Sequence, residues 1–363
     1  MNILYISFLN GDSWAGPTYS VPKQITAQKT YDNVFWYNIR KSDVKEWKSN
    51  LLFHDLDDYP EGKICSLPEP FCNPDLIVVE QFYGYAGQKI FFELMRGNYN
   101  YIIIPRGELT VNAQLRKPLK KKLGNLLLFN SFAKNANAIQ YLTEQEKIDS
   151  GDRWNKKTLV ISNGIDIPAE SNKTEINDRI KLVFIGRLSP WQKGLDLLVE
   201  AFGYVKDLLL DCCTVEIYGP DYDNKRCELE KNIAEMGLEK VVHFNDGVFG
   251  EEKKAILTSS DVFLITSRFE GHPIALIEAL SYGLPCIATT GSNMRNEVEK
   301  YNAGWCADNE ALSIADAIER MINEKQYISA KGYNAKSLAK EYDWQRIAQK
   351  SHEEYVEIIK GRN

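Results

Sequence analysis

Short apolar runs of strand character alternate with longer helical or loop segments along almost the whole chain, in two successive series. Residues 3–8, 33–39, 76–80, 101–104 and 138–142 form the first series, and 182–185, 215–218, 241–244, 262–266 and 285–289 form the second. The intervals are long enough for crossover helices, which predicts parallel sheets buried on both faces. In the second series, helical patterns occupy 193–208, 225–236, 251–259, 273–281 and 310–323. The first of these places Leu195, Leu198, Val199 and Phe202 on one face. Between the series, Asn163-Gly164, Pro168 and the polar stretch 170–178 mark a linker. A last amphipathic helix is predicted at 344–360. The expected architecture is α/β, with two doubly wound domains facing across a cleft: residues 1–163, residues 164–343, and a closing helix in 344–363 that can cross back to the first domain. In such sheets ligands sit beyond the carboxyl ends of the strands.

With 363 residues, 44% of them hydrophobic and 26% charged, the chain is neither collagen-like, coiled-coil nor disordered, and it exceeds what one core usually serves. No apolar run approaches the ~18 residues needed to span a bilayer. Met1 leads directly into a strand, without a basic region or cleavage site, so no secretory signal is expected. Seven cysteines, odd in number and without a C-x-x-C pair, point to a reducing, cytoplasmic compartment. The net charge of −6 disfavours nucleic-acid partners, and it is unevenly spread. Residues 1–163 hold 20 Lys/Arg against 17 Asp/Glu, and the remainder 24 against 33, which suggests different partners for the two halves. The four histidines show no metal spacing, and neither a metal nor another cofactor is expected.

The densest chemistry lies in Ser267-Arg-Phe-Glu270-Gly271-His272-Pro273-Ile274-Ala-Leu-Ile-Glu278-Ala-Leu-Ser-Tyr-Gly283-Leu-Pro285. A strand ends, a loop carries Glu270, and Pro273 suits a first helical turn that Gly283 later closes. Free backbone N–H groups at the helix start make an anion site, and Gly271 permits close approach. At ~1.5 Å rise per residue, Glu278 stands on the order of 10 Å from Glu270. That span suits a phosphate-centred ligand gripped through hydroxyls at both ends. His272, inside the helix mouth, either donates a hydrogen bond to phosphate or sugar as a neutral ring or simply packs. The second constellation is Gly186-Arg187-Leu-Ser-Pro-Trp-Gln-Lys193-Gly194. Arg187 and Lys193 follow a strand, and two cations there can neutralise a diphosphate, Arg by bidentate contact and Lys as a point charge.

These two segments, together with Ser162-Asn163-Gly164-Ile165-Asp166, resemble the donor-site motifs of glycosyltransferase family 4, specifically over about 160–345 and more loosely before it. The resemblance implies the GT-B fold of two Rossmann-like domains and a retaining, metal-independent enzyme. It further implies that Arg187 and Lys193 hold the donor diphosphate, that Glu270 faces the transferred sugar, and that Glu278 binds the ribose. Gly186, Gly271 and the backbone of His272, Pro273 and Ile274 would approach the donor phosphates. The interval from Arg187 to Lys193 is one residue longer than the commonest family form. In the first half, Trp14-Ala-Gly16-Pro17-Thr18 is similar to the family's glycine-containing loop, with Gly16 near the donor. Where many relatives carry a His, this chain reads Val79-Glu80-Gln81-Phe82-Tyr83, so Glu80, Gln81 and Tyr83 are the acceptor candidates. Pro105-Arg106-Gly107 resembles a turn in the polysaccharide-assembly branch, where Arg106 either meets an acceptor phosphate or braces the turn.

The strongest basic run, Leu115-Arg116-Lys117-Pro118-Leu119-Lys120-Lys121-Lys122-Leu123, precedes Leu126, Leu127, Leu128 and Phe129. It reads as a basic amphipathic surface helix suited to anionic lipid or, equally, as a solvated face. The function expected is transfer of a hexose from a UDP- or GDP-sugar to a hydroxyl of a glycan or polyprenyl-diphosphate-linked glycan, in the cytoplasm or on the inner membrane face. Two other readings stay open: a nucleotide-sugar epimerase on the same scaffold, and a non-catalytic glycan-binding protein.

Overall fold

The computed structural model describes residues 1–12, 15–115, 117–168, 179–221 and 224–361, with Asn112 described in its backbone alone. Trp14, Arg116 and the polar stretch 170–178 lie outside the described residues. The chain divides into two compact units. One comprises Met1–Gly164 together with Trp344–Asn363, and the other is Ile165–Asp343.

The first unit is built on seven strands: β1 (Asn2–Ser7), β2 (Asn33–Asn38), β3 (Phe53–His54), β4 (Leu76–Glu80), β5 (Tyr101–Ile104), β6 (Ala138–Tyr141) and β7 (Thr158–Val160). They lie in the order β3-β2-β1-β4-β5-β6-β7, every pair parallel. Side chains alternate across the sheet, and both faces are covered. Leu4, Ile6, Ile77, Val79, Ile103 and Ile139 pack to one side with Phe91 and Phe132 from helices Lys89–Arg96 and Asn130–Asn135. Ile3, Tyr5, Val78, Ile102 and Ala138 pack to the other with Val21 and Ile25 of helix Gly16–Gln28. Helix Trp344–Lys360 joins that second side through Trp344, Ile347, Tyr355 and Ile358.

The second unit repeats the plan with β8 (Ile180–Ile185), β9 (Cys213–Tyr218), β10 (Val242–Asn245), β11 (Val262–Ile265), β12 (Cys286–Thr289) and β13 (Gly304–Ala307), ordered β10-β9-β8-β11-β12-β13 and again parallel. Along β8, Leu182 and Phe184 face one cluster while Val183 and Ile185 face the other. The strand order reverses between β1 and β4 in the first sheet and between β8 and β11 in the second. At those points neighbouring loops diverge and leave a crevice beyond the carboxyl ends. Among the described residues no helix is long and apolar enough to cross a membrane.

Differences from the sequence expectation fall at sheet edges and helix breaks. β3, β7 and β13 were not anticipated; each is an edge strand of two to four residues. The helix expected at 193–208 is instead a turn at Pro190–Lys193, helix Leu195–Tyr204 and helix Lys206–Cys212. Gly194, at φ +64°, breaks it at one end, and Val205, at φ −114° and ψ 25°, breaks it again.

At the first switch point a buried ion pair closes the sheet end. Arg106 Nε lies 2.7 Å from Glu80 Oε2, with side chains 5% and 0% exposed. Its Nη1 donates to Ser20 Oγ (3.2 Å) and Asn163 Oδ1 (2.9 Å), and its Nη2 to Gln24 Oε1 (2.7 Å). Two further carboxylates hold the adjoining turns. Glu108 Oε2 accepts from the Phe82 and Tyr83 amides, and Glu146 accepts from those of Gly107 and Leu142. Burial pushes both carboxyls above their ordinary range, and those amides pull the other way. A buried pair that loses one partner leaves an uncompensated charge, so Arg106→Met should cost about 3–5 kcal/mol in a urea titration followed by circular dichroism. Adding Glu80→Gln should return part of that loss. Unchanged stability in Arg106→Met would rule out the brace.

Candidate active site

Two backbone crossings bring the loops after β8, β9 and β11 together. Gly186 N–H donates to Tyr218 O (3.0 Å), and a Cβ on Gly219 would stand 1.7 Å from Gly186 O. Gly194 approaches β11 as closely, since its Cβ would meet Thr266 O at 2.0 Å, and its positive φ also favours glycine. Thr266 Oγ1 donates to Lys193 O (3.0 Å), which pins the lysine backbone to the end of β11.

From that anchor Lys193 reaches across to the neighbouring loop. Its Nζ lies 2.6 Å from Glu270 Oε1, and Ser267 Oγ donates to the same oxygen at 2.6 Å. Asn293 Nδ2 holds the Glu270 carbonyl. Between Arg187 and Lys193 the chain forms the Pro190–Lys193 turn, which Arg268 secures. The Arg268 guanidinium grips Asp196 through two bonds (2.7 and 2.8 Å) and the Trp191 carbonyl (2.8 Å), and its amide donates to Gln192 O (2.9 Å). Arg187 is exposed. Its Nη2 donates to Gln192 Oε1 (3.2 Å), and among the described residues no carboxylate pairs with it. Lys193 and Glu270 therefore arrive as a neutral pair, with Arg187 as a net positive charge on the same loop.

Beyond Glu270, a Cβ on Gly271 would meet nothing within 4 Å, so the backbone faces open space there. Helix Ile274–Ser281 begins one residue later than expected, with Pro273 as its N-cap and no side chain capping it. Its first amides point along the helix axis toward that end, where a negative group is stabilised. His272 is buried, its ring 5.2 Å from that of Tyr342. Glu278, on the same helix, forms an ion pair with Lys253 of helix Gly250–Ser259.

The acceptor candidates fall differently. Glu80 and Arg106 were expected at an acceptor, with bracing the alternative for Arg106. Both are buried and engage each other, which makes Glu80 part of the brace at this sheet end. Tyr83 is half-buried. Its hydroxyl donates to Asn125 Oδ1 (2.9 Å) and lies 3.1 Å from Gln114 Oε1, and Lys121 Nζ lies 4.8 Å from its ring centre. Gln81 adopts φ +71° just after β4. Gly16 opens helix Gly16–Gln28 in the first unit, whereas the other donor candidates belong to the second. Sequence reasoning missed Lys253, Ser267, Arg268, Asp196 and Asn293. Arg268 and Ser267 adjoin Glu270 and were within reach of a closer look at that motif. Lys253 sits in Glu251-Glu252-Lys253-Lys254, a charge run that reads as a solvated face.

Residues 166–338 match the family model "Glycosyl transferases group 1". Among curated proteins, the D-inositol 3-phosphate glycosyltransferase of Paenarthrobacter aurescens is 27% identical over 51% of this chain and 45% of its own. The GDP-mannose:cellobiosyl-diphosphopolyprenol alpha-mannosyltransferase of Xanthomonas oryzae is 24% identical over 55% and 53%. The alignments thus span about half the length of these relatives. Likeness to solved structures runs over nearly the whole chain. Sucrose-phosphate synthase from Thermosynechococcus elongatus superposes with a TM-score of 0.75 at 16% identity, covering 99% of this chain and 100% of that one. Anabaena HepE in complex with UDP-glucose gives 0.70 at 17%, covering 98% and 100%. The second unit is therefore a glycosyl transferases group 1 domain, carried on a chain with the GT-B fold.

Proposed function

We propose that this protein is a retaining, metal-independent glycosyltransferase that moves a hexose from a UDP- or GDP-sugar to a hydroxyl of a glycan or lipid-linked glycan. The observation that carries the proposal is the exposed, acid-free Arg187 guanidinium beside the ion pair of Lys193 and Glu270, at the second sheet's switch point. The Xanthomonas relative is named for GDP-mannose and a diphosphopolyprenol acceptor, and HepE was solved with UDP-glucose, which supports a nucleotide-sugar donor without choosing the base.

In this proposal the donor diphosphate takes the charge of Arg187 and draws Lys193 from Glu270, which frees that carboxylate for the sugar hydroxyls. The helix mouth after Gly271, where a Cβ would meet nothing within 4 Å, receives a phosphate oxygen. Glu278 accepts from the ribose hydroxyls, its orientation set by Lys253. As the bond from the anomeric carbon to phosphate breaks, its electron pair goes to the diphosphate, where fixed cations are worth most. The acceptor oxygen bonds to the anomeric carbon on the same face, and its proton passes to the departing phosphate oxygen. Arg187 and Lys193 supply the charge neutralisation for which other enzymes use a divalent ion.

The acceptor side is proposed to meet an anionic membrane. Helix Pro118–Gly124 and the π-helical turn Asn125–Phe129 present Leu119 (83% exposed), Leu126 (75% exposed), Leu123 and Leu127 to solvent, interleaved with exposed Lys117, Lys120 and Lys122. Apolar insertion and lysine attraction to anionic headgroups, at ~1 kcal/mol per cation, act together.

A thermal-shift panel of UDP-, GDP- and ADP-sugars should single out one base. With that donor, Arg187→Ala and Lys193→Ala should each lower kcat roughly 10²–10³-fold while the fold is retained. Wild-type turnover in both variants would overturn the assignment. NMR of the product should show the donor's anomeric configuration, with turnover unaffected by chelator. Sedimentation with phosphatidylglycerol vesicles should pull the wild type down, and the double variant Leu119→Ser/Leu126→Ser should stay in solution. Equal recovery of the two proteins would sink the membrane contact.

A further inference from the structure

Trp191 is 61% exposed, although it sits in a turn whose neighbours are closely tied. An indole left in water forgoes the burial that such a large apolar ring normally contributes. Here its position is held from the other side of the crevice. Its carbonyl accepts from Arg268 Nη1, Arg268 is clamped by Asp196, and the Arg268 amide holds Gln192. The ring of Phe269, on the loop after β11, lies 5.5 Å from it at 58°. Two loops thus deliver two aromatic rings to one spot and fix them there.

That spot adjoins the charged pair. Trp191 precedes Lys193 by two residues and Phe269 directly precedes Glu270, and those two side chains meet at 2.6 Å. At 3.8 Å per Cα step, the Trp191 Cα stands at most about 8 Å from that of Lys193, and the Phe269 Cα about 4 Å from that of Glu270. A pyranose has an apolar face of C–H groups that matches the negative face of an aromatic ring, while its hydroxyls remain in water. A nucleobase suits the position less, because Glu278 and Lys253 mark the ribose end on other elements.

We infer that Trp191, backed by Phe269, is an aromatic platform for a pyranose of the acceptor glycan, next to the sugar being transferred. The inference rests on the proposed glycosyl transfer and deepens it by assigning a binding residue on the acceptor side. A donor sugar at Glu270 is held by polar groups and enclosed by its own diphosphate. The exposed platform beside it meets a saccharide arriving from solvent.

The test compares wild type with Trp191→Ala and Trp191→Phe, in transfer to a saccharide acceptor and in donor hydrolysis without acceptor. Trp191→Ala should raise acceptor KM about tenfold or more and leave donor KM and acceptor-free hydrolysis within twofold. Trp191→Phe, which keeps an aromatic face, should recover most of the acceptor affinity. An unchanged acceptor KM would overturn the platform, and so would a rise confined to donor KM. A second measurement needs no turnover. Methyl glucoside, methyl mannoside, methyl galactoside and maltose are titrated while tryptophan emission is followed. At least one should shift the wild-type emission and leave that of Trp191→Phe unmoved; no difference between the two proteins for any of them would overturn the platform. If the wild type transfers no sugar from any nucleotide donor, the enzyme proposal fails, and the emission difference still decides the platform by itself.

Discussion

The second unit's site depends on two places where backbone must touch backbone. Gly219 lies against the Gly186 carbonyl and Gly194 against that of Thr266, each closer than any side chain allows. A methyl group at either would push apart the loops leaving β8, β9 and β11. The position of Lys193 follows from this, since Gly194 and the Thr266 hydroxyl fix its backbone on the end of β11. From there its ammonium needs only its own side-chain length to reach Glu270. The electrostatics of the crevice thus depend on backbone packing, with the Arg268–Asp196 pair securing the turn before Gly194.

The charges divide into two kinds. Glu270 and Glu278 each have a lysine, from the loop after β8 and from helix Gly250–Ser259 respectively. Pairs of this sort, with every member one-tenth to three-tenths exposed, are inexpensive to hold and easy to exchange for a ligand's groups, because water still screens them. Arg187 is the other kind, tied among the described residues to the Gln192 side-chain amide and to no carboxylate. An anion entering beside it gains an attraction that no carboxylate has to give up. The same logic separates the two sheets. At the first switch point the guanidinium of Arg106 already makes four bonds, to Glu80, Ser20, Gln24 and Asn163, so that end is closed as structure.

What could be read from the sequence tracks burial. β1, β4, β5, β8 and β11 are covered on both faces, so their apolar runs are unbroken and their positions were legible. β3, β7 and β13 lie at sheet edges, where a strand can be two to four residues long and half-exposed; Gly304-Trp305-Cys306-Ala307 carries no β-branched residue at all. The site divides the same way. Glu270 and Lys193 declared themselves because motif and turn residues surround them. That Lys193 reaches Glu270 despite the longer interval was not legible, since it depends on a four-residue turn and a left-handed glycine. Nor was the fate of Glu80, because its partner stands 26 residues away on the next strand's exit and nothing local encodes that pairing.

The first unit's surface carries an opposite compromise from its sealed sheet end. Tyr83 and Asn125 anchor the segment from beneath, with Lys121 folded over the tyrosine ring, while Leu119, Leu123, Leu126 and Leu127 are left in water. Exposed apolar groups in such a cluster are unfavourable in solution and become favourable when covered, as the proposed membrane contact would do. The interior of this unit is arranged for rigidity, through Arg106, Glu108 and Glu146. In the second unit rigidity and chemistry share the same loops, which is why the glycine crossings there come first in any account of how the site arises.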